Sequence, residues 1–98
     1  MLVDAENVRR STWPNVSRDE LERRTDEWAR ARRTAVVVVW EGATTADDVI
    51  AALAAALADA GQPYWLATSD RGLRQRASAA AERVIGGGRF LRELLGER

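Results

Sequence analysis

The stretch T-A-V-V-V-V-W at residues 34–40, closed by Glu41-Gly42, decides the fold. It is β-branched and continuously apolar, the pattern of a central strand covered on both faces. Such strands belong to parallel sheets layered with helices, so the flanking sequence should alternate between the two. It does. Downstream, Thr44 or Thr45 caps a helix predicted over 46–60. Val49, Ile50, Leu53, Ala54 and Leu57 form its buried stripe, and Gly61 and Pro63 stop it. Upstream, Ser17 precedes Arg18-Asp19-Glu20 as an N-cap and capping box. The helix it opens is predicted over 18–32, with Leu21, Trp28 and Ala31 on a thin apolar face and its acids ahead of its arginines, as the helix dipole favours. Met1–Asp4 reads as a short buried strand and Tyr64–Thr68 as the third strand. A helix over 72–81 follows, then a strand over 82–85, a Gly86-Gly87-Gly88 turn and a helix over 89–95. Strand and helix alternate four times, which argues a parallel sheet with helices on both faces.

Composition narrows the chemistry. The chain has 98 residues, expected to form one domain over 1–98. It has no cysteine and no histidine, which excludes disulfides, zinc-thiolate sites, thiol nucleophiles and imidazole bases or ligands. Any catalysis must run on carboxylates, hydroxyls, arginine or a metal. Net charge is zero, so no global field draws the chain to nucleic acid or membrane. All fifteen basic residues are arginine, whose forks match phosphate oxygens. The 18 alanines point equally to a GC-rich coding bias. No apolar run reaches the ~20 residues of a membrane span. Met1 leads straight into a strand and acidic residues rather than a signal peptide, so a cytoplasmic location with no membrane partner is expected.

Acids stand where strands end: Asp4 in L-V-D-A-E-N, Glu41 after the second strand, Asp47 and Asp48 in T-A-D-D, and Asp70 in T-S-D-R. In α/β sheets these ends share one edge, where ligands bind. Carboxylates gathered there repel one another unless protons or cations neutralise them. Magnesium suits such a site, taking oxygen ligands from one or two carboxylates, waters and substrate phosphates. The expectation is a metal site for cutting a phosphodiester. Read singly, each acid has a plainer role. Asp4 and Asp70 could cap helices, Asp47 and Asp48 could satisfy a helix dipole, and Glu41 could be a solvated loop residue. The glycine triplet lacks the phosphate-loop pattern and reads as a plain turn. Arg71, Arg74 and Arg76 could hold an RNA backbone or form a solvated face. Trp13 could stack on a base or cover the core edge.

The motifs also carry a resemblance. V-D-A-E-N-V (3–8) is similar to the V-D-G-Y-N-V opening of the NYN and YacP-like branch of PIN-like nucleases. V-V-V-V-W-E-G (36–42) resembles their second strand, which usually ends F-D-G. T-A-D-D-V-I-A-A-L-A (45–54) resembles the T-A-D-D helix of YacP-like proteins and the E-A-D-D-V-I helix of the 5′ nucleases that accompany bacterial DNA polymerases. A-T-S-D-R-G-L-R-Q (67–75) resembles their T-S-D-R or T-G-D-x-D-L-x-Q segment. Order and spacing match along nearly the whole chain.

This resemblance implies a PIN-like, Rossmannoid three-layer sandwich with a four-stranded, mainly parallel sheet in the order 2-1-3-4. It implies an Mg2+- or Mn2+-dependent ribonuclease with Asp4, Asp48 and Asp70 as catalytic ligands and Asp47 and Glu41 close behind. Asn7 and Ser69, with Arg71, would serve the substrate side, Asn7 by orienting the Asp4 loop. The 5′ nucleases carry Glu where Thr45 stands and a second Asp where Gly72 stands, and both departures remove a carboxylate. The YacP-like branch shares the Thr and lacks that Asp, so the chain resembles it more. The alternative is a PIN-like module that has lost catalysis and binds RNA or protein. Other expected partners are a second copy, as a homodimer, and an antitoxin-like protein. A receiver-like or phosphatase domain is disfavoured, since no D-x-D follows the first strand and there is no lysine for a late one.

Overall fold

The computed structural model describes residues 1–96, so the last two positions of the expected domain lie outside it. Nine elements follow in order: β1 (Leu2–Asp4), α1 (Ala5–Arg9), α2 (Arg18–Arg32), β2 (Val37–Val39), α3 (Ala46–Asp59), β3 (Trp65–Ala67), α4 (Arg71–Ala77), β4 (Arg83–Ile85) and α5 (Gly87–Leu94). The four strands pair in parallel in the order β2-β1-β3-β4.

Alternate strand residues feed two cores. Val3, Ala67 and Ile85 pack with α1, α2 and α5 through Val8, Leu21, Trp28, Phe90 and Leu91. Leu2, Val39 and Leu66 pack on the other face with α3 and α4 through Ala46, Ile50, Ala54, Leu73 and Ala77. This is the three-layer α/β sandwich, with every strand pair parallel. Fully burying one such Leu, Ile or Phe stabilises the fold by about 1.5–3 kcal/mol. In the first core the Phe90 ring meets Trp28 edge-on at 5.2 Å between centroids.

Four expectations are corrected, the last of them within α2. The 34–40 run, read as a central strand from its pattern, forms an edge strand, as the order 2-1-3-4 implied by the resemblance has it, and Val37 is 45 % exposed. Val36, Val38 and Trp40 pack against the first core while Val39 enters the second. An apolar run reports cover on its faces, and edge and central strands both have that cover in a three-layer sandwich. Next, Gly86 is the N-cap of α5, and Gly87 and Gly88 form its first turn rather than a free turn. The reason is tertiary. A methyl at Gly87 would collide with the Asn7 Oδ1, so only glycine lets α5 approach α1 this closely. Third, Trp13 is 89 % exposed and covers no core edge. The α2 boundaries agree with expectation. Ser17 Oγ accepts from Glu20 N at 3.1 Å, but the Glu20 carboxylate pairs with Arg23 and Arg24, so only half of the capping box forms. Ala31 is exposed, and Thr25 takes its place on the buried face.

Candidate active site at the carboxyl edge of the sheet

Parallel pairing brings the ends of β1, β2 and β3 to one edge, and the acids arrive there with them. Asp4 is the last residue of β1 and is only 5 % exposed. It stands at the N-cap of α1 but makes no side-chain cap bond. Its Oδ2 accepts instead from the Thr68 hydroxyl at 2.8 Å. Thr68 is fully buried, and its Oγ1 in turn accepts from Asp70 N at 3.0 Å. One hydroxyl thus joins the first carboxylate to the backbone that presents the third. Asp70 does cap α4, with its Oδ1 accepting from Leu73 N at 2.8 Å. Its other oxygen has no donor among the described residues.

At the start of α3, Thr45 Oγ1 accepts from Asp48 N at 3.2 Å and Glu41 Oε1 from Ala46 N at 3.2 Å. Both residues therefore spend a bond on holding that helix end. The two aspartates of the first turn then diverge, because successive residues rotate about 100° around the helix. Asp48 turns outward and accepts from the Arg76 guanidinium of α4 at 2.8 Å. Asp47 is half-buried and feels the charges of Asp70 and Glu41.

The electrostatics follow this division. Burial pushes the Asp4 carboxyl above its ordinary value, Thr68 offsets part of that rise, and the charges of Asp47, Asp70 and Glu41 add to it. Asp47 is raised as well, by burial first and then by Asp70 and Glu41, with partial relief from Arg76. Asp48 is lowered, chiefly by its hydrogen bond from Arg76. Asp47, Asp70 and Glu41 thus bear on Asp4, and Asp70 and Glu41 on Asp47, while Asp48 is paired with Arg76 and adds only a smaller repulsion on Asp47.

Asn7 and Ser69 brace the edge. Asn7 Oδ1 accepts from Ser69 N at 2.8 Å, and Ser69 Oγ accepts from Gly87 N at 2.8 Å. The β1–α1, β3–α4 and β4–α5 junctions are locked by these two bonds. The same residues line an open hollow of about 490 Å³ with Glu6, Arg10, Ser11 and Gly88. Arg71 is exposed at the first position of α4 and has no carboxylate partner among the described residues. Sequence reasoning read Thr68 only as the end of a strand and Gly87 only as part of a turn. The signal for Thr68 was a hydroxyl two positions ahead of an acid at a strand end, and Gly87 had no local signal.

The donor chemistry suits a hard divalent cation, since Asp4, Asp47, Asp70 and Glu41 offer carboxylate oxygens. Among the described residues, however, no three acidic side chains converge to close around one ion. A direct all-protein cage does not fit. One or two carboxylates completed by waters do, which is the ordinary habit of magnesium.

No family model matches the chain, and no curated protein does. A solved structure does. The crystal structure of a tryptophan-to-leucine mutant of Rae1 (YacP) from Bacillus subtilis superposes with a TM-score of 0.77 at 24% identity, over 97% of this chain and 74% of that one. The likeness shows that this chain has the fold of Rae1.

Proposed function

We propose that this protein is a metal-dependent ribonuclease that hydrolyses RNA phosphodiester bonds at the Asp4–Asp47–Asp70 edge. The observation that carries the reading is the uncompensated carboxylate set. Four acids share one crevice, two of them raised by burial and mutual repulsion, and Arg76 alone among the described arginines relieves any of it. Such an arrangement costs stability unless a cation occupies it. The motif resemblance to PIN-like nucleases and the shared fold with a YacP protein support the same reading.

One or two of Asp4, Asp47 and Asp70 would ligate magnesium or manganese directly, with waters completing the coordination and bridging to the rest. When bound, such a cation lowers the pKa of a water and stabilises charge on the attacked phosphate. The chain's own residues do the rest. Thr68 fixes the Asp4 carboxylate and leaves its second oxygen free for the crevice. The α4 N–H groups hold Asp70 in place through the cap. Asn7 and Ser69 keep the crevice floor rigid, and Arg71 at its rim offers a fork to a neighbouring phosphate. With no histidine in the chain, proton transfer must go through these carboxylates and solvent.

A second reading has its own observation. Thr45 and Gly72 stand where the 5′ nucleases carry acids, and no three carboxylates close on one ion. That favours a non-catalytic RNA-binding module. One assay separates the two readings. Purified protein is given a labelled RNA with manganese and, in parallel, with chelator. Manganese-dependent cleavage that Asp70→Asn lowers by at least ~100-fold (about 2.7 kcal/mol) is expected. Asparagine still caps α4, so folding is preserved. Cleavage that survives in chelator, or that Asp70→Asn leaves intact, would rule the proposal out.

A further inference from the structure

The arginines are not evenly spread. Residues 71–96 hold six arginines against two acids, whereas residues 1–70 hold twelve acids and eight arginines. The surplus collects in a cleft of about 330 Å³ between β4 and α5, lined by Arg32, Arg83, Arg89, Arg92, Trp65 and the lone acid Glu93. Glu93 is already paired with Arg32. Among the described residues no carboxylate lies within salt-bridge reach of Arg83, Arg89 or Arg92, and no hydrogen bond uses their donors. Arg83 lies over the Trp65 ring at 5.1 Å, which holds its guanidinium in one place while leaving all its N–H groups open. Arg92 reaches back along α5 until its Nη1 lies beside Gly88. Gly88 also lines the hollow floored by Asn7 and Ser69, the residue before Asp70. The two hollows therefore meet at the first turn of α5. One adjoins Asp70 through Ser69, its neighbour in the chain, and the other carries the unpaired forks.

We propose that this β4–α5 cleft is a track for the phosphodiester backbone of single-stranded RNA, with Arg83, Arg89 and Arg92 as its phosphate contacts, leading the strand into the acidic centre. The inference rests on the reading that RNA is the substrate. A polyanion is the occupant that fits. The cleft presents arginine forks in excess, a lining more polar than apolar and an exit toward a site built for phosphate chemistry. The acids at the centre repel a polyanion, so a net neutral protein needs a separate attractive surface to hold one.

The test measures binding apart from cleavage. A short fluorescein-labelled oligouridine is titrated in chelator, by anisotropy, across about 50 to 200 mM salt. Wild type should bind with a steep salt dependence. The triple variant Arg83→Gln, Arg89→Gln, Arg92→Gln should weaken binding at least ~10-fold and flatten the log–log salt slope by about 2, near 0.7 for each lost contact. A control triple that does not line the cleft, Arg23→Gln, Arg30→Gln, Arg33→Gln, should stay within about twofold of wild type. Manganese-dependent hydrolysis of the small diester bis-p-nitrophenyl phosphate reads the acidic centre alone and should be unchanged in the cleft variant. If that hydrolysis is missing in wild type while arginine-dependent binding persists, the catalytic reading fails and the track stands. Unaltered affinity and slope in the cleft triple, or equal loss in the control triple, would overturn the track. So would polyglutamate competing as well as oligouridine at equal charge, since the surface would then read acidic peptide.

Discussion

The outer face of α2 and the carboxyl edge of the sheet are both crowded with acids, and they are built on opposite rules. On α2, Glu20 meets Arg23 and Arg24, Glu27 meets Arg23, and Asp26 meets Arg30, all at helical spacing in solvent. At the edge, Asp4, Asp47, Asp70 and Glu41 face one another, and Arg76 spends its salt bridge on Asp48. Charge density is therefore the wrong signal for a site. What marks the edge is repulsion left uncompensated where burial makes it expensive. The α2 pairs cancel in high dielectric and contribute little in either direction.

The largest effect should come from breaking the division inside T-A-D-D. Asp47→Asn is expected to lower manganese-dependent RNA cleavage by ~100-fold or more, and Asp48→Asn by no more than about threefold, about 2.7 against 0.7 kcal/mol. Initial rates at saturating metal compare them. Equal losses would show that both acids serve the centre and that the Arg76 pair does not set Asp48 apart.

A smaller effect tests the repulsion itself. Without metal, Asp4→Asn should stabilise the fold by about 1 kcal/mol at neutral pH, raising Tm by about 4–8 °C. Asparagine can still accept from Thr68, and it carries no charge. The sign follows from linkage. Asp4 holds its proton to higher pH in the fold than in the unfolded chain, where its value is near 3.8. The native state thus binds more protons in that window, and wild-type stability falls as pH rises through the raised value. The advantage of Asp4→Asn should be absent below about pH 3.8 and grow above it. Thermal unfolding of both proteins across this range checks it, and a variant less stable throughout would contradict it.

The smallest effect belongs to the other region. Removing one α2 pair, as in Arg30→Ala, should change stability by no more than about 0.5 kcal/mol, read by urea unfolding. A larger loss would mean that these surface pairs are structural and that the contrast is weaker than drawn.

Much of this was legible in the sequence because it is local. Ser17 caps α2, Gly61 and Pro63 end the next helix, and acids at strand ends reach one edge once the sheet is parallel. The choice between Asp47 and Asp48 was not legible. The two are chemically identical neighbours, and the arbiter, Arg76, lies 28 residues away on another helix. The role of Thr68 depends on Asp4, 64 residues upstream. The glycines at 86–88 read as a turn because glycine is a poor helix former, and close packing against Asn7 overrode that preference. The apolar run alone read as a central strand, since it reports cover and not neighbours, whereas the order 2-1-3-4 implied by the resemblance already put β2 at the edge.

The central claim is that the repelling carboxylates form one cation site. Calorimetric titration of manganese into wild type, Asp4→Asn and Asp70→Asn tests it most directly. The account predicts saturable binding by wild type that each substitution weakens at least ~10-fold, about 1.4 kcal/mol. Wild type that binds no manganese at millimolar concentration, or binding that both substitutions leave intact, would contradict it.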